Sequence, residues 1–544
     1  MHDGARLPRP ATLDVTALVL RALARRLATA LVALALTAPS GEGAAASTSA
    51  GAVRPLTLSL ESDPSSLDTI LNTAYGWLLG PLTQGYLFLV DAQGRLVPDR
   101  ALSVPTRAGG GISSDGLTIR YRIRTGRWSD GAPFDARDVA FSVEALRNPR
   151  TNVPDRSTVE AIRSVEAPRP DTLIVHLKKP SAPFVSSFLT LGANDPFAIL
   201  PRHIAAAYPD LNRSSLDTQP VGLGPFRLLR WVRGERLQFE RNPFYWRRPA
   251  RAPRIDVSIV PNAITRVLLV QTGRLDETYV SGLELERARR AGLPVAGAVT
   301  NIEDYLQFNL RRPALRDRAV RAALAQALDR ARLARVVYRG LEVPTDSGQL
   351  DPQLGSGARL PAYAPAAARA VLAPRRLALD LAIAGEWRSS SAAAVQIQAQ
   401  FAQAGVNVTI HSYTPGTFWG PKSDGGILEG GRFDLALTSW SPALDPDRSY
   451  LFGCAALPPA GGNAGAYCSA DFDAAEAAGA ASYEPAARRA AYRRAHAILA
   501  HDLPILPLGF ERSAYALSPR LRGFAPNVLG RDFWNAWQFE TTSP

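Results

Sequence analysis

Cysteine is almost missing from this chain. Cys454 and Cys468 are the only two in 544 residues. Neither lies near the N-terminus, which excludes a lipid anchor on an N-terminal cysteine. Histidine is also scarce. Of the six, only His496 and His501 are close in sequence, and no Cys or acidic cluster joins them, so no metal site is expected. Lysine is limited to Lys178, Lys179 and Lys422, and arginine supplies the rest of the 62 basic residues against 49 acidic ones, a formal charge of +13. Those arginines are scattered through every segment, with no long basic block and no interleaved aromatic stripe. A nucleic-acid partner is therefore not expected, although a carboxylate-bearing ligand would not be repelled.

Long apolar runs are missing too. The one notable run, Leu27 to Ala38, is too short to span a bilayer comfortably. It follows Arg21, Arg25 and Arg26 and precedes the small residues of "PSGEGAAA", which is the pattern of a secretory signal. Residues 1–46 are expected to be signal peptide and its basic flank, cleaved between 38 and 50, with a soluble periplasmic product. Outside the reducing cytosol a cysteine pair persists as a disulfide.

Catalytic signatures are the last absence. There is no G-x-S-x-G elbow, no G-x-x-x-x-G-K-[ST] loop and no H-E-x-x-H, and "VGLGPF" lacks the third glycine of a dinucleotide fingerprint. No enzyme activity and no cofactor are expected.

What is present is a large, well-packed α/β chain. About five hundred mature residues exceed one hydrophobic core, so two or more lobes are expected. "LTLSL" at 56–60, "LTIRYRIR" at 117–124, "DTLIVHL" at 171–177 and "IDVSIV" at 255–260 read as strands. "PFDARDVAFSVEALRN" reads as a helix with Asp135 and Asp138 as a capping box. "LRDRAVRAALAQALDRARLARVVYRG" reads as one helix ended by Gly340, with Val320, Leu324 and Leu328 on one face. Trp128, in the turn "GRWSDG", reads as core. "LALDLAI" at 377–383, the helix ending at Gly405 and "VNVTIHSY" at 406–413 form a βαβ unit with parallel strands. "FDLALTSW" at 433–440 adds a strand that ends at Trp440. Ligands of α/β sheets are met at the carboxyl ends of strands, which directs attention to the loop after Trp440.

Five collinear blocks resemble the extracellular solute-binding proteins of the peptide and nickel type that serve ABC importers. They are "SLDTILNTAYGWLLGPLTQGYLFLVDAQGRLVPDRALS", "YRIRTGRWSDGAPFDARDVAFSVEAL", "VGLGPFRLLRWVRGERLQFERNPFYWR", "YLQFNLRRPALRDRAVRAALAQALDRARL" and "DLPILPLGFERSAYALSPRLRGF". The resemblance implies an α/β, two-lobed periplasmic binding protein fold, type II and of the large peptide-binding class, with mixed sheets and a hinge. It implies a first lobe over 51–273 with an extra subdomain, a second lobe over 274–508 and a return over 509–544. It implies a monomer that captures a small solute or short peptide between closing lobes and delivers it to an inner-membrane ABC permease.

The loop after Trp440 resembles the dipeptide-binding branch of that family, with Asp445, Pro446 and Asp447 followed by Cys454 and Cys468 at the branch's disulfide spacing. The resemblance thus pairs the two cysteines. An Asp that holds the ligand's α-amine in that branch has no counterpart here, where Pro442 or Ala443 stands near its place. Unmodified dipeptides are therefore expected to bind weakly. Trp440 and Trp419 are expected to contact ligand, with Tyr75 and Trp77 facing them from the first lobe, and Ser441, Pro442 and Ala443 offering backbone groups. Asp445 and Asp447 read as turn and cap residues. Two other classes remain open, a secreted hydrolase with an acid pair and a non-transport sensor or chaperone-like receptor on the same fold. So do ligands such as an amino-acid conjugate, an opine, an oligosaccharide or a chelated metal.

Overall fold

The computed structural model describes residues 54–542 except 71–75, 154, 346–356, 358, 386–387 and 442, and the side chains of 76, 77 and 388 are also outside the description. The signal segment and Tyr75 and Pro442 therefore lie outside the described residues, as does the side chain of Trp77.

Three sheets carry the architecture. The first has four strands in the order Leu56–Leu60, Arg254–Ile259, Arg236–Arg241 and Phe226–Val232. Its outer pair Leu56–Leu60 and Arg254–Ile259 is parallel, and the remaining pairs are antiparallel. Leu56, Leu58, Ile255, Val257, Leu237 and Phe239 turn one face inward and form a continuous core with Phe533 and Phe539 from the C-terminal segment. Alternation along each strand places these residues on one face.

The second sheet has three strands, Glu277–Tyr279, Tyr515–Leu517 and Val295–Ala296. The third has six, in the order Glu342–Pro344, Ile505–Arg512, Val299–Phe308, Leu435–Trp440, Ala378–Ala384 and Asn407–Tyr413. Its last three strands are mutually parallel, joined by the expected βαβ crossover through helix Arg388–Gln403. Leu306, Phe308, Leu381, Leu435, Leu437 and Leu506 pack against Val320, Leu324, Ile397 and Phe401 from the covering helices. This accounts for the apolar runs in those strands, since a sheet covered on both faces has little room for polar alternation.

The chain crosses between the second and third sheets twice, at Gly297–Ala298 and again at Ser513–Ala514. The crossings are tied together. Ser513 N donates to the Ala298 carbonyl at 2.9 Å, and Ala298 N donates to Ser513 Oγ at 3.2 Å. A side chain at Gly297 would place its Cβ 2.0 Å from the Ser513 carbonyl oxygen, so only glycine permits this approach.

A further antiparallel sheet, Thr118–Arg122, Thr172–Leu177 and Ile162–Arg169, packs with helix Ala136–Arg147. Asp135 and Asp138 form the expected capping box of that helix. Trp128 is fully buried, edge-on to Phe134 at 5.5 Å, as its reading as core required.

One expected element is broken. The long helix after Leu315 is three pieces, Pro313–Arg316, Arg318–Ala327 and Arg330–Val336. Asp317 and Asp329 interrupt it because each accepts backbone hydrogen bonds as an N-cap, from Ala319 N and Arg332 N. A capping carboxylate satisfies the orphan N–H groups of a new helix start better than it tolerates a helix interior.

Candidate ligand-binding site

Trp440 ends the strand Leu435–Trp440 and is half-buried. Its indole stacks on the ring of Tyr450, with centroids 5.3 Å apart and planes 21° off parallel. Offset stacking of this kind makes a rigid aromatic slab. Directly across the sheet from Trp440 lies Glu303, whose fully buried carboxylate accepts a hydrogen bond from Arg448 Nη1 at 2.7 Å. Burial pushes the Glu303 carboxyl up, and the Arg448 guanidinium opposes that. The backbone N–H of Arg448 in turn donates to Glu476 Oε2 at 3.1 Å.

The loop beyond Trp440 meets two other segments. Leu444 N donates to the Gly192 carbonyl at 2.9 Å, and Asn301 N donates to the Val528 carbonyl at 2.7 Å. Asn301 Nδ2 also reaches the Ala443 carbonyl at 3.4 Å, and Arg531 Nη2 donates to the Asn194 carbonyl at 3.2 Å. The Ala443 carbonyl is thus already engaged within the protein. Ser441 is half-buried, and its Oγ is buried without a hydrogen-bond partner.

Negative charge acts on the Tyr450 end of the slab. Burial pushes the Tyr450 phenol up to about 12, and the charges of Asp155, Asp195 and Glu429 act in the same direction. Asp195 is itself pushed up to about 6, chiefly by burial and next by Asp155, with Arg531 opposing. A positive or hydrogen-bond-donating group at the slab would meet a favourable field.

Trp419 is half-buried and stands edge-on to Phe418 at 4.9 Å, against the cluster of Ala382, Phe433 and Ala436. It packs against a different hydrophobic cluster from Trp440. Asp447 caps the turn by accepting from Ser449 N at 2.8 Å. Asp445, with 11% of its side chain exposed, pairs with Arg488 and accepts from the Tyr492 hydroxyl. Both acids therefore serve the fold. Cys454 and Cys468 are disulfide-bonded, with Cα atoms 4.4 Å apart.

Sequence reasoning missed Tyr450, Asn301, Asp195 and Arg531. Tyr450 follows Trp440 in the same loop, whereas Asn301 reaches Ala443 from another strand and Arg531 meets the segment 194–195 from the C-terminal stretch. The Asp-Pro turn of "GANDPF" was the single local signal available for Asp195.

The fold is that of the two-lobed α/β binding proteins. The chain belongs to the bacterial extracellular solute-binding proteins, family 5, whose model matches residues 95–457. Protein XP55 of Streptomyces lividans is 29% identical over 344 residues, covering 60% of this chain and 57% of that relative. The glutathione-binding protein GsiB of Pectobacterium atrosepticum is 27% identical over 436 residues, covering 76% of this chain and 81% of the relative. Among solved structures, NikZ from Campylobacter jejuni, in complex with Ni(L-His), superposes with a TM-score of 0.76 at 22% identity, covering 90% of this chain and 99% of that one. At that identity the likeness concerns the fold.

Proposed function

We propose that this protein is the substrate-binding component of an ABC importer, capturing a peptide or peptide-like solute between two lobes for delivery to a membrane permease. The observation that carries the reading is the Trp440–Tyr450 slab at the strand end, with the unpartnered Ser441 hydroxyl beside it. The loop after Trp440 meets the segment 192–195, which belongs to the other lobe in this reading. A flat aromatic surface with a few convergent polar groups suits a small solute with amide or ring planes. Family membership and the relative named for glutathione support a peptide-like ligand.

The lobes change at the paired crossings Gly297–Ala298 and Ser513–Ala514, somewhat downstream of residues 273 and 508. Short paired crossings of this kind are where a hinge absorbs its dihedral change. Closure would bring Tyr75 and Trp77 to the ligand from the first lobe. The protein acts as a monomer in the periplasm, and it binds rather than catalyses. Native mass spectrometry of the exported protein should reveal one small molecule per chain, released on denaturation. N-terminal sequencing should find the start between residues 38 and 50; a start near Met1 would contradict the periplasmic assignment.

A further inference from the structure

The rim of the six-stranded sheet holds a second group of acids, away from the Trp440 slab. Asp304, Glu511 and Glu342 stand on three adjacent strands. Glu342 lies opposite Glu511 across one strand pair, and Asp304 lies opposite Gly509 across the next. Gly509 has no side chain, and the Glu342 carboxyl fills the space over it. A Cβ there would stand 2.5 Å from Glu342 Oε1. That oxygen is therefore aimed from one outer strand, over the middle strand, toward Asp304.

The group is strongly one-sided in charge. Glu342 is 4% exposed, and its Oε1 has no hydrogen-bond partner. The charges that act on it are those of Asp304, Glu511 and Glu303, all negative. Asp304 feels burial first, then Glu511, with the Tyr338 phenol opposing. Glu511 accepts from the Tyr279 hydroxyl at 2.9 Å. The neighbouring guanidinium groups are already engaged, Arg448 with Glu303 and Arg266 with Glu61.

Three features favour a ligand here over a purely structural role. Asp304, Glu511, Tyr279 and Tyr338 are mostly buried but each keeps part of its surface exposed. Glu511 and Trp440 lie near the same, carboxyl ends of strands that are parallel to each other across Val299–Phe308, with the acids on the opposite face of the sheet from the indole. Tyr279 belongs to the three-stranded sheet beyond the crossings, so the group straddles the junction.

We propose that this acid-lined junction receives the positive end of the captured solute, a guanidinium or an ammonium carried on a side chain or alkyl chain, as distinct from a peptide's α-ammonium. The inference rests on the capture reading above and assigns that solute a cationic end. A divalent metal is the weaker occupant, because among the described residues no group of three His, Cys, Asp or Glu side chains is arranged to hold one. An organic cation with several N–H donors can bridge carboxylates that are spread over three strands. It would also relieve the like-charge repulsion that now disfavours ionisation of Glu342 and Asp304.

The test uses the mature protein stripped of bound solute and three probes, N-acetyl-Ala-Arg-Ala, its citrulline counterpart, and spermidine. Acetylation leaves the arginine as the only cation, and citrulline is its neutral isostere. Calorimetry should show the arginine peptide binding about ten-fold or more tighter than the citrulline peptide. In Glu342→Gln and Asp304→Asn that preference should fall to roughly three-fold or less. Circular dichroism and a thermal melt check the fold of each variant, and ligand-free Glu342→Gln should melt no lower than the parent. Equal affinity for the two peptides would overturn the cation site and leave solute capture standing, the acids then being simply protonated. Binding of spermidine alone, lost in both variants, would uphold the cation site and overturn the peptide reading. Failure of all three probes would overturn the cation site.

Discussion

Glu303 and Arg448 form a buried ion pair directly across the sheet from Trp440, and its two partners respond differently to removal. Arg448→Met should leave a carboxylate fully buried and unpaired, costing about 3–5 kcal/mol of stability. Urea denaturation would show this as a lower midpoint, and an unchanged midpoint would mean that Glu303 is already protonated. Trp440→Ala acts on binding instead. Trp440 is half-buried and stacks on Tyr450, a residue that is 38% exposed, so the fold loses little packing there. Ligand affinity should fall by about 2 kcal/mol, as for a central aromatic anchor. Calorimetry with the solute recovered from the exported protein measures this, and a loss of stability equal to the loss of affinity would assign Trp440 to the core. The missing acid after Trp440 also has a consequence. Ala443 is half-buried and its carbonyl is engaged by Asn301, so the stretch 441–444 offers an α-ammonium a hydroxyl at Ser441 but no carboxylate. A buried ammonium without a partner is costly. Unmodified dialanine should therefore bind no better than its N-acetyl form, and a strong preference for the free amine would contradict that.

At the level of elements, the disulfide closes the loop that follows the ligand-bearing strand. The residues between Cys454 and Cys468 are "AALPPAGGNAGAY", rich in Gly, Ala and Pro, and Asn463 and Tyr467 are the main side chains buried there. In the entropic model, closing a loop of this size restricts the unfolded chain by about 3 kcal/mol. The Cys454→Ser, Cys468→Ser double variant should melt earlier yet keep its far-UV circular dichroism. An identical melting curve would show that the bond does not stabilise the fold. Much of this level was legible in the sequence. Alternation marked Leu56–Leu60 and Thr172–Leu177, and the apolar runs marked the βαβ unit, because local pattern and burial agree there. The helix breaks at Asp317 and Asp329 were not read, since an Asp within an amphipathic stretch looks the same whether it faces water or caps a new start. The site was legible only where one strand announces its own end, at Trp440. Tyr450 lay within the same loop but its stacking was not read from it, and Asp195 and the Asp304–Glu342–Glu511 group depend on register and on long-range approach, which no local window contains.

For the molecule as a whole, buried acids set the response to pH. Burial pushes Glu277 up to about 8 and Asp68 up to about 7, and it raises Asp304, Glu342 and Glu511 as well. Between the ordinary carboxylate range and these raised values, the folded state holds protons that the unfolded state has released. Stability therefore falls as pH rises through that window. The ligand-free protein should melt at a higher temperature at pH 5.5 than at pH 8.5, and Glu342→Gln should flatten the difference. A melting temperature that rises over the same interval would show that these carboxyls are ionised and paired in the fold. The central claim, though, is capture by closure. A ligand that touches both lobes stabilises the closed form, whereas one that touches a single lobe shifts nothing. Small-angle scattering of the exported protein, first as purified with its solute, then stripped, then with the recovered solute restored, tests this most directly. The account predicts a larger radius of gyration after stripping and a return to the compact value on restoration. One radius in all three states, with the solute bound in the first and last, would contradict it.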